Sequence, residues 1–304
     1  MPGIVIAALI ATLLALAIIG PLILRHTPVE ERGRLLVIWA LHLPMCAAAS
    51  HFLRQPLDAQ LVSWLGMGSG AHRFLTTFYA PLTEEPAKLW LLLTPWLLSR
   101  LNRENSLRHG MTIGLGFGVG ELWLIAYWVT LNPSLSGAPW FAFIGFIQER
   151  IMVCVMHGVF TSAALRTIRA APVRSVLFAM LLHYTGNFPI YLSQVRIPPL
   201  PPVVWQLVLV LWVMFYFVAM LAVVGWLYPD LGGMRQFLRA RAQCPECGFI
   251  YPRLWLANLN VRMRYLITGW KRVYNRYERC PNCKKFHWAP TCPDDLPPDS
   301  KPAA

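Results

Sequence analysis

Stretches of about 20 mainly apolar residues recur along the first three quarters of this sequence, and they constrain the fold more than any other feature. At the helical rise of about 1.5 Å per residue, such a stretch crosses the roughly 30 Å hydrocarbon core of a bilayer. The 304 residues are 56% hydrophobic and 13% charged, which is unusual for a soluble globular domain. Backbone amides inside a bilayer must be satisfied internally, and the stretches lack the alternation of barrel strands, so we predict helices. The seven predicted spans are residues 4–24, 35–53, 74–98, 110–131, 140–165, 175–194 and 203–228.

Basic residues between the spans predict how the chain is oriented. Arg25 follows the first span and no basic residue precedes it, the reverse of the order in a cleavable secretory signal, so we expect a retained anchor. Connections rich in Arg alternate with poorer ones, which places the amino terminus outside and the tail after Tyr228 in the cytoplasm. Much of the net charge of +13 lies in that tail. A cytoplasmic location explains this charge, so it does not by itself indicate nucleic-acid binding.

Polar side chains inside four of the predicted spans are the candidate functional residues. An ionisable group in hydrocarbon costs several kcal/mol, so those that are retained are candidates by default. Spacings of four and seven residues place them in pairs on shared helix faces, near one depth in the membrane. A run of glycines before the carboxylate at 121 allows close helix approach around it. The set is Glu84, Glu85, Lys88, Glu121, Arg150, His157, His183 and Asn187.

This set contains the groups that peptide hydrolysis needs. A carboxylate beside an imidazole can deprotonate water, and His or Asn donors can stabilise an oxyanion. Any one pair alone is equally well explained as a structural ion pair, with Lys88 and Arg150 neutralising the glutamates. The joint occurrence of the groups on successive helices favours catalysis.

Four short motifs resemble the PrsW-type intramembrane proteases, a family within the superfamily of CAAX prenyl endopeptidases and bacteriocin-processing proteins. They are E-E-x-x-K from Glu84, G-F-x-x-x-E ending at Glu121, an Arg followed seven residues later by His, and H-x-x-x-N from His183. The resemblance covers roughly residues 74–192 and implies hydrolysis of membrane-embedded or juxtamembrane protein substrates. It also favours a bacterial plasma membrane.

The resemblance implies a role for each matching residue. Glu84 is the expected water-activating base, with Glu85 and Lys88 positioning it. In the prenyl-protein branch a His occupies the position of Glu121, so here His157 is expected to supply the imidazole.

The remaining three residues complete the implied site. His183 and Asn187 match the motif assigned to oxyanion stabilisation. Arg150 is expected to pair with a carboxylate.

Three other interpretations stay open from the sequence. Because Glu and His also bind zinc, Glu121, His157 and His183 could form a metalloprotease centre, so a catalytic metal is undecided. A catalytically idle relative would act as a membrane scaffold. A proton-coupled transporter would use the same residues as a relay, although the sequence has no matched pair of broken helices.

Two C-P-x-C knuckles in the tail predict a structural zinc site. Cys244 and Cys247 form the first knuckle, and Cys280 and Cys283 form the second. Four thiolates hold Zn²⁺ in closed structural sites, and the reducing cytoplasm disfavours disulfides. The 32 residues between the knuckles exceed the usual ribbon spacing of about 15–20, so we expect an insertion. Cys292 either takes no part in this zinc site or replaces one of its four cysteine ligands.

The insertion between the knuckles interleaves basic and aromatic residues. Such a surface suits anionic lipid headgroups or a cytoplasmic protein partner, and beside a membrane we prefer these to nucleic acid. The basic residues are Arg262, Arg264, Lys271, Arg272 and Arg276, and the aromatic ones are Tyr251, Trp255, Tyr265, Trp270, Tyr274 and Tyr277.

These observations predict an all-α polytopic membrane protein with a small zinc-ribbon-like domain. The predicted divisions are 1–73 for the first spans and an interfacial connection, 74–194 for the PrsW-like catalytic core, 195–228 for the seventh span, 229–290 for the cytoplasmic basic domain, and 291–304 for a disordered end. Nothing in the connection 54–73 indicates chemistry.

Overall fold

The computed structural model of the chain describes residues 1–25, 27–228, 239–254 and 275–290. The chain divides into two compact units, residues 1–228 and 229–304. The described part of the first unit is helical, which confirms the predicted fold class for that part. Its helices are α1 (Gly3–Arg25), α2 (Val29–His42), α3 (Met45–Ala49), α4 (Gln55–Leu65), α5 (Gly70–Thr76), α6 (Tyr79–Lys88), α7 (Pro95–Leu98), α8 (Arg103–Thr130), α9 (Ile144–Thr167), α10 (Pro172–Val195) and α11 (Pro202–Leu227). A π-helical turn, Ser50–Arg54, joins α3 to α4, and 3₁₀ turns cover Trp90–Leu93 and Trp140–Phe143.

Five helical segments among the described residues are long and apolar enough to cross a membrane, where the sequence predicted seven spans. The five segments are Gly3–Leu24, Val29–Leu65, Arg103–Thr130, Trp140–Thr167 and Pro202–Leu227. The predicted span 175–194 lies inside the continuous helix α10. That helix is less apolar because it carries polar residues, among them His183 and Asn187.

The prediction of one helix over residues 74–98 is wrong. The segment is divided into α5, α6, a 3₁₀ turn and α7. Pro86 cannot donate a backbone hydrogen bond, and α6 ends two residues later at Lys88. Thr94 has an extended backbone because the following Pro95 disfavours the helical region. The break leaves Glu84, Glu85 and Lys88 on the short helix α6.

Helices α8 and α9 pack at very short distance through residues without side chains. A Cβ atom at Gly114 would lie 2.0 Å from the amide nitrogen of Gly158, and one at Gly118 would lie 2.9 Å from Cα of Cys154. Gly120 instead faces the end of α2, where a Cβ would lie 1.9 Å from the carbonyl oxygen of Leu43. The glycine run therefore allows two close contacts of α8, one with α9 and one with the end of α2. Small residues spaced four apart allow such contacts in membrane helix bundles.

Helix α1 packs on the C-terminal half of α8 and the N-terminal part of α9. Its alanine face forms a buried cluster with residues of these two helices. The cluster consists of Ile4, Ala7, Ala8, Ala11, Leu122, Ala126 and Ile147.

The described residues of the second unit form two antiparallel hairpins. β1 (Arg239–Gln243) pairs with β2 (Ile250–Leu254), and β3 (Asn275–Arg279) pairs with β4 (Phe286–Pro290). One C-P-x-C knuckle forms the turn of each hairpin, and the residue after it has positive φ, Gly248 at 69° and Lys284 at 63°. The helical prediction therefore does not extend to this unit. The basic residues of the insertion, most of its aromatic residues and Cys292 lie outside the described residues or carry side chains that are not described.

Candidate functional site

Glu121 on α8 and His157 on α9 form a hydrogen-bonded pair. His157 Nε2 lies 3.0 Å from Glu121 Oε2, and its Nδ1 lies 2.7 Å from Lys88 Nζ. A Lys ammonium only donates and a carboxylate only accepts, so these partners assign the ring proton of neutral His157 to Nε2. Arg150 adds a cation 3.3 Å from Glu121 and also donates to Glu149 at 2.6 Å. The predicted pairing of Arg150 with a carboxylate is therefore observed.

Glu85 and Lys88 link this pair to α10. Lys88 Nζ lies 2.6 Å from Glu85 Oε1, and the same oxygen lies 2.6 Å from His183 Nδ1. The side chains of Lys88 and Glu85 are almost fully buried, at 0% and 1% exposure. Since the carboxylate accepts from Nδ1–H, a neutral His183 ring presents Nε2 as a lone-pair acceptor.

Glu84 lies on the other side of His183. Its Oε2 lies 4.0 Å from His183 Nε2 and has no hydrogen-bond partner among the described residues. Its Oε1 forms a close ion pair with Arg54, the last residue of the π-helical turn. Sequence reasoning missed Arg54, because it lies 30 residues from Glu84 in a connection without a recognisable motif.

These contacts form one continuous polar network through the helices. The three less exposed carboxylates, at positions 84, 85 and 121, are each in contact with one of three cations, at 54, 88 and 150. The charges of these six groups therefore cancel in a region where an uncompensated charge is expensive. Arg150 also pairs with a fourth carboxylate, Glu149, whose side chain is 42% exposed. The network explains how so many ionisable groups are accommodated among apolar helices.

A cavity of about 470 Å³ opens beside the network. Arg54, Glu121, Arg150, His157, His183 and Asn187 are on its wall, whereas Glu84, Glu85 and Lys88 lie behind it. Asn187 is one helical turn from His183 on α10, as its spacing predicts. The structure thus brings all eight predicted residues into one region.

Helix α11 supplies part of the cavity wall that the sequence did not indicate. Trp212 and Tyr216 line the cavity, and their side chains donate to the carbonyls of Gly186 and Leu182 on α10. Phe160 stacks on His183 with ring centroids 5.2 Å apart. Aromatic residues are so common in membrane helices that nothing in the sequence distinguished these three.

The metal centre considered from sequence has a different third member in the structure. One ligand atom each from Glu84, His157 and His183 lie within 4.8 Å of one another, whereas the sequence suggested Glu121 with the two histidines. Both ring nitrogens of His157 already contact Lys88 and Glu121. Metal binding at this position would require one of these contacts to break.

The four tail cysteines form a second cluster, which confirms their predicted convergence. Their sulfur atoms all lie within 4.8 Å of one another, with Cys244 3.7 Å from Cys283 and Cys247 3.8 Å from Cys280. A tetrahedral site with metal–sulfur bonds of about 2.3 Å has sulfur–sulfur edges of about 3.8 Å. The cluster therefore fits a metal ion bound by four thiolates.

Surrounding groups adjust the acidity of these thiols. A hydrogen bond from the backbone of Phe249, with further donors that include the Asn282 amide, lowers the pKa of Cys247 to about 6. Burial raises the pKa of Cys244 to about 12. His287, which the sequence analysis did not select, places Nδ1 3.8 Å from the sulfur of Cys244. Cys247 is thus already favoured as a thiolate, the form that metals bind.

Comparison of the chain with protein families, with characterised proteins and with solved structures found no match.

Proposed function

We propose that this chain is an intramembrane endopeptidase in which Glu84 and His183 activate a water molecule. The observation that supports this most strongly is the pair of facing acceptors, Glu84 Oε2 and His183 Nε2, 4.0 Å apart. A water molecule about 2.8 Å from each atom would donate one hydrogen to each. Such a water satisfies the buried Glu84 oxygen and is held beside two bases.

In the proposed reaction, the water oxygen bonds to the substrate carbonyl carbon as its proton passes to Glu84 or His183. The resulting oxyanion is stabilised by the Asn187 amide at the cavity wall. The carbon–nitrogen bond then breaks, and the same proton returns to the leaving amine. The products are a carboxylic acid and an amine, which ionise by proton transfer to a carboxylate and an ammonium group, so no cofactor is consumed.

The rest of the network positions these groups. Glu85 holds the Nδ1 proton of His183, which leaves Nε2 as the base. Lys88 neutralises Glu85 and also contacts His157, and through His157 the network reaches Glu121. The proposal keeps Glu84 as the water-activating base that the PrsW resemblance implies. It departs from the resemblance in giving the role of the imidazole to His183 rather than His157, and in assigning Glu85 and Lys88 to the positioning of His183 rather than of Glu84.

The cavity suits an apolar peptide segment better than a charged metabolite. Just over half of its lining residues are apolar or aromatic, and the others include charged residues of the network. A membrane-embedded or juxtamembrane protein segment would fill it while presenting a peptide carbonyl to His183 and Asn187. We therefore propose a membrane protein as substrate.

Cleavage of single-span substrates by purified protein in detergent tests the proposal. Glu84→Gln and His183→Ala each should reduce turnover by about 100-fold or more, the range for loss of a general base. Glu30→Gln, at an exposed position on α2, is the matched carboxylate control and should cleave like wild type. Wild-type activity in both site variants would refute the site, and no cleavage by any form would favour a scaffold.

A chelator separates water activation by side chains from metal-assisted hydrolysis. We expect cleavage to continue in 1,10-phenanthroline and to be unaffected by Cys280→Ser, which removes one tail ligand. Loss of cleavage with chelator in that variant, and recovery with Zn²⁺, would instead support a catalytic metal held by Glu84, His157 and His183.

A proton-coupled carrier is the second candidate, favoured by the broken segment over residues 79–98 beside the charged network. Transporters place interrupted helices at their binding sites. In proteoliposomes, proton flux that requires Glu84 without any peptide cleavage would favour this alternative.

The tail and the membrane arrangement complete the proposal. Structural Zn²⁺ is bound by the four tail cysteines, and the basic, aromatic insertion contacts anionic lipid or a cytoplasmic protein. The chain lies in a plasma membrane with seven passes, counting the segment 74–98 and α10. Its amino terminus is outside, so a cysteine introduced at the exposed Pro2 should react with an impermeant maleimide on intact cells, and one introduced in the tail should not.

A further inference from the structure

Arg54 occupies a place in the site that neither the motifs nor the resemblance indicates. It ends the π-helical turn Ser50–Arg54, which lies between α3 and α4. A π turn holds one residue more than an α turn, which changes the direction of the side chains that follow. Turns of this kind often occur at functional positions.

Arg54 separates the buried carboxylate of Glu84 from the cavity. Its side chain is 23% exposed and lines the cavity, while Glu84 is 2% exposed and does not. The guanidinium binds Oε1 of Glu84, whereas Oε2 remains without a partner and faces His183. The cation therefore fixes which carboxylate oxygen is available for chemistry.

We infer that Arg54 is the positioning residue for Glu84, holding Oε1 so that Oε2 points at His183 and covering the carboxylate on its cavity side. The inference rests on the proposed function, in which Glu84 Oε2 accepts a proton from water. A free carboxylate could rotate and present either oxygen. The guanidinium removes this freedom and leaves one orientation.

Kinetics of substituted proteins test the positioning role. Arg54→Ala should lower kcat by about 10- to 100-fold with little change in KM, because the substrate still binds but the base is misplaced. Arg54→Lys keeps the cation and should recover most of kcat, and added guanidinium should partly rescue Arg54→Ala. Arg100→Ala, at an exposed arginine that donates to the carbonyl of Trp96 four residues earlier, is the control.

Two kinetic results would overturn the inference. One is a loss confined to KM, which would assign Arg54 to substrate binding. The other is equal loss in Arg54→Lys and Arg54→Ala with no rescue, while thermal unfolding shows both to be folded.

Chemical labelling tests the covering role without any cleavage. Reaction of Glu84 with a water-soluble carbodiimide and an amine tag, read by mass spectrometry, should increase several-fold in Arg54→Ala because the guanidinium no longer covers the carboxylate. Glu85 is the internal control, since it contacts Lys88 and His183 instead. Unchanged labelling of Glu84 would overturn the inference. Increased labelling in a protein that cleaves nothing would leave the contact established and refute only the proteolytic function.

Discussion

Gly114 is the position where a single methyl group should most directly disturb the site. A Cβ there would lie 2.0 Å from the amide nitrogen of Gly158 and 2.4 Å from the carbonyl carbon of His157. Both atoms belong to the backbone of α9, so no side chain can move aside. Ordinary contact begins at 3.4 Å, so α9 must move by about 1.4 Å relative to α8.

Two opposing terms set the expected magnitude for Gly114→Ala. Overpacking costs about 1–3 kcal/mol, whereas Ala is about 1 kcal/mol better than Gly in a helix interior. We expect a net destabilisation of up to about 2 kcal/mol. Gly225→Ala is the matched control, because a Cβ there meets no atom within 4 Å, and it should gain up to about 1 kcal/mol.

Reversible unfolding in mixed detergent micelles measures the difference between the two variants. The structure also predicts an effect on chemistry, because a displacement of this size would stretch the 3.0 Å contact between His157 and Glu121 beyond hydrogen-bonding range. Misplacement by about 1 Å can cost about 100-fold in rate, and cleavage assays should show it. If Gly114→Ala were as stable as Gly225→Ala, the close packing of α8 on α9 would be refuted.

Three further predictions concern the tail and the end of the helical unit. Cys280→Ser should reduce bound zinc from about one ion per chain to none, by elemental analysis, and should make the tail sensitive to protease; retained zinc would contradict a four-thiolate site. Gly248→Ala should weaken zinc binding in competition titrations, because a side chain at φ 69° costs about 1–2 kcal/mol, and unchanged affinity would contradict the knuckle geometry. Tyr228→Phe should lower the free energy of unfolding of the helical unit by about 1–3 kcal/mol, because the tyrosine hydroxyl donates to the Ser162 carbonyl at 2.7 Å. Tyr127→Phe, at an exposed tyrosine, is the control and should leave the free energy of unfolding unchanged.

The sequence by itself determined the class of protein and most of the site. Apolar stretches long enough to cross a bilayer require helices, because only internal hydrogen bonds satisfy the backbone there. Ionisable residues in those stretches are so expensive that the eight candidates could be selected without a structure. The paired C-P-x-C knuckles likewise indicated that their cysteines converge.

Tertiary structure decided which of these residues touch and what completes the site. His183 contacts Glu85 across 98 residues, and Arg54 contacts Glu84 across 30, in pairings that no local spacing encodes. The break in the segment 74–98 depends on prolines whose effect on an apolar run varies with the surrounding helices. Helical periodicity places a side chain on a face, but the packing of helices determines which partner that face meets. For that reason the candidate polar residues were visible in the sequence. The Glu84 oxygen that has no partner among the described residues, its arginine and the aromatic wall of the cavity required the fold.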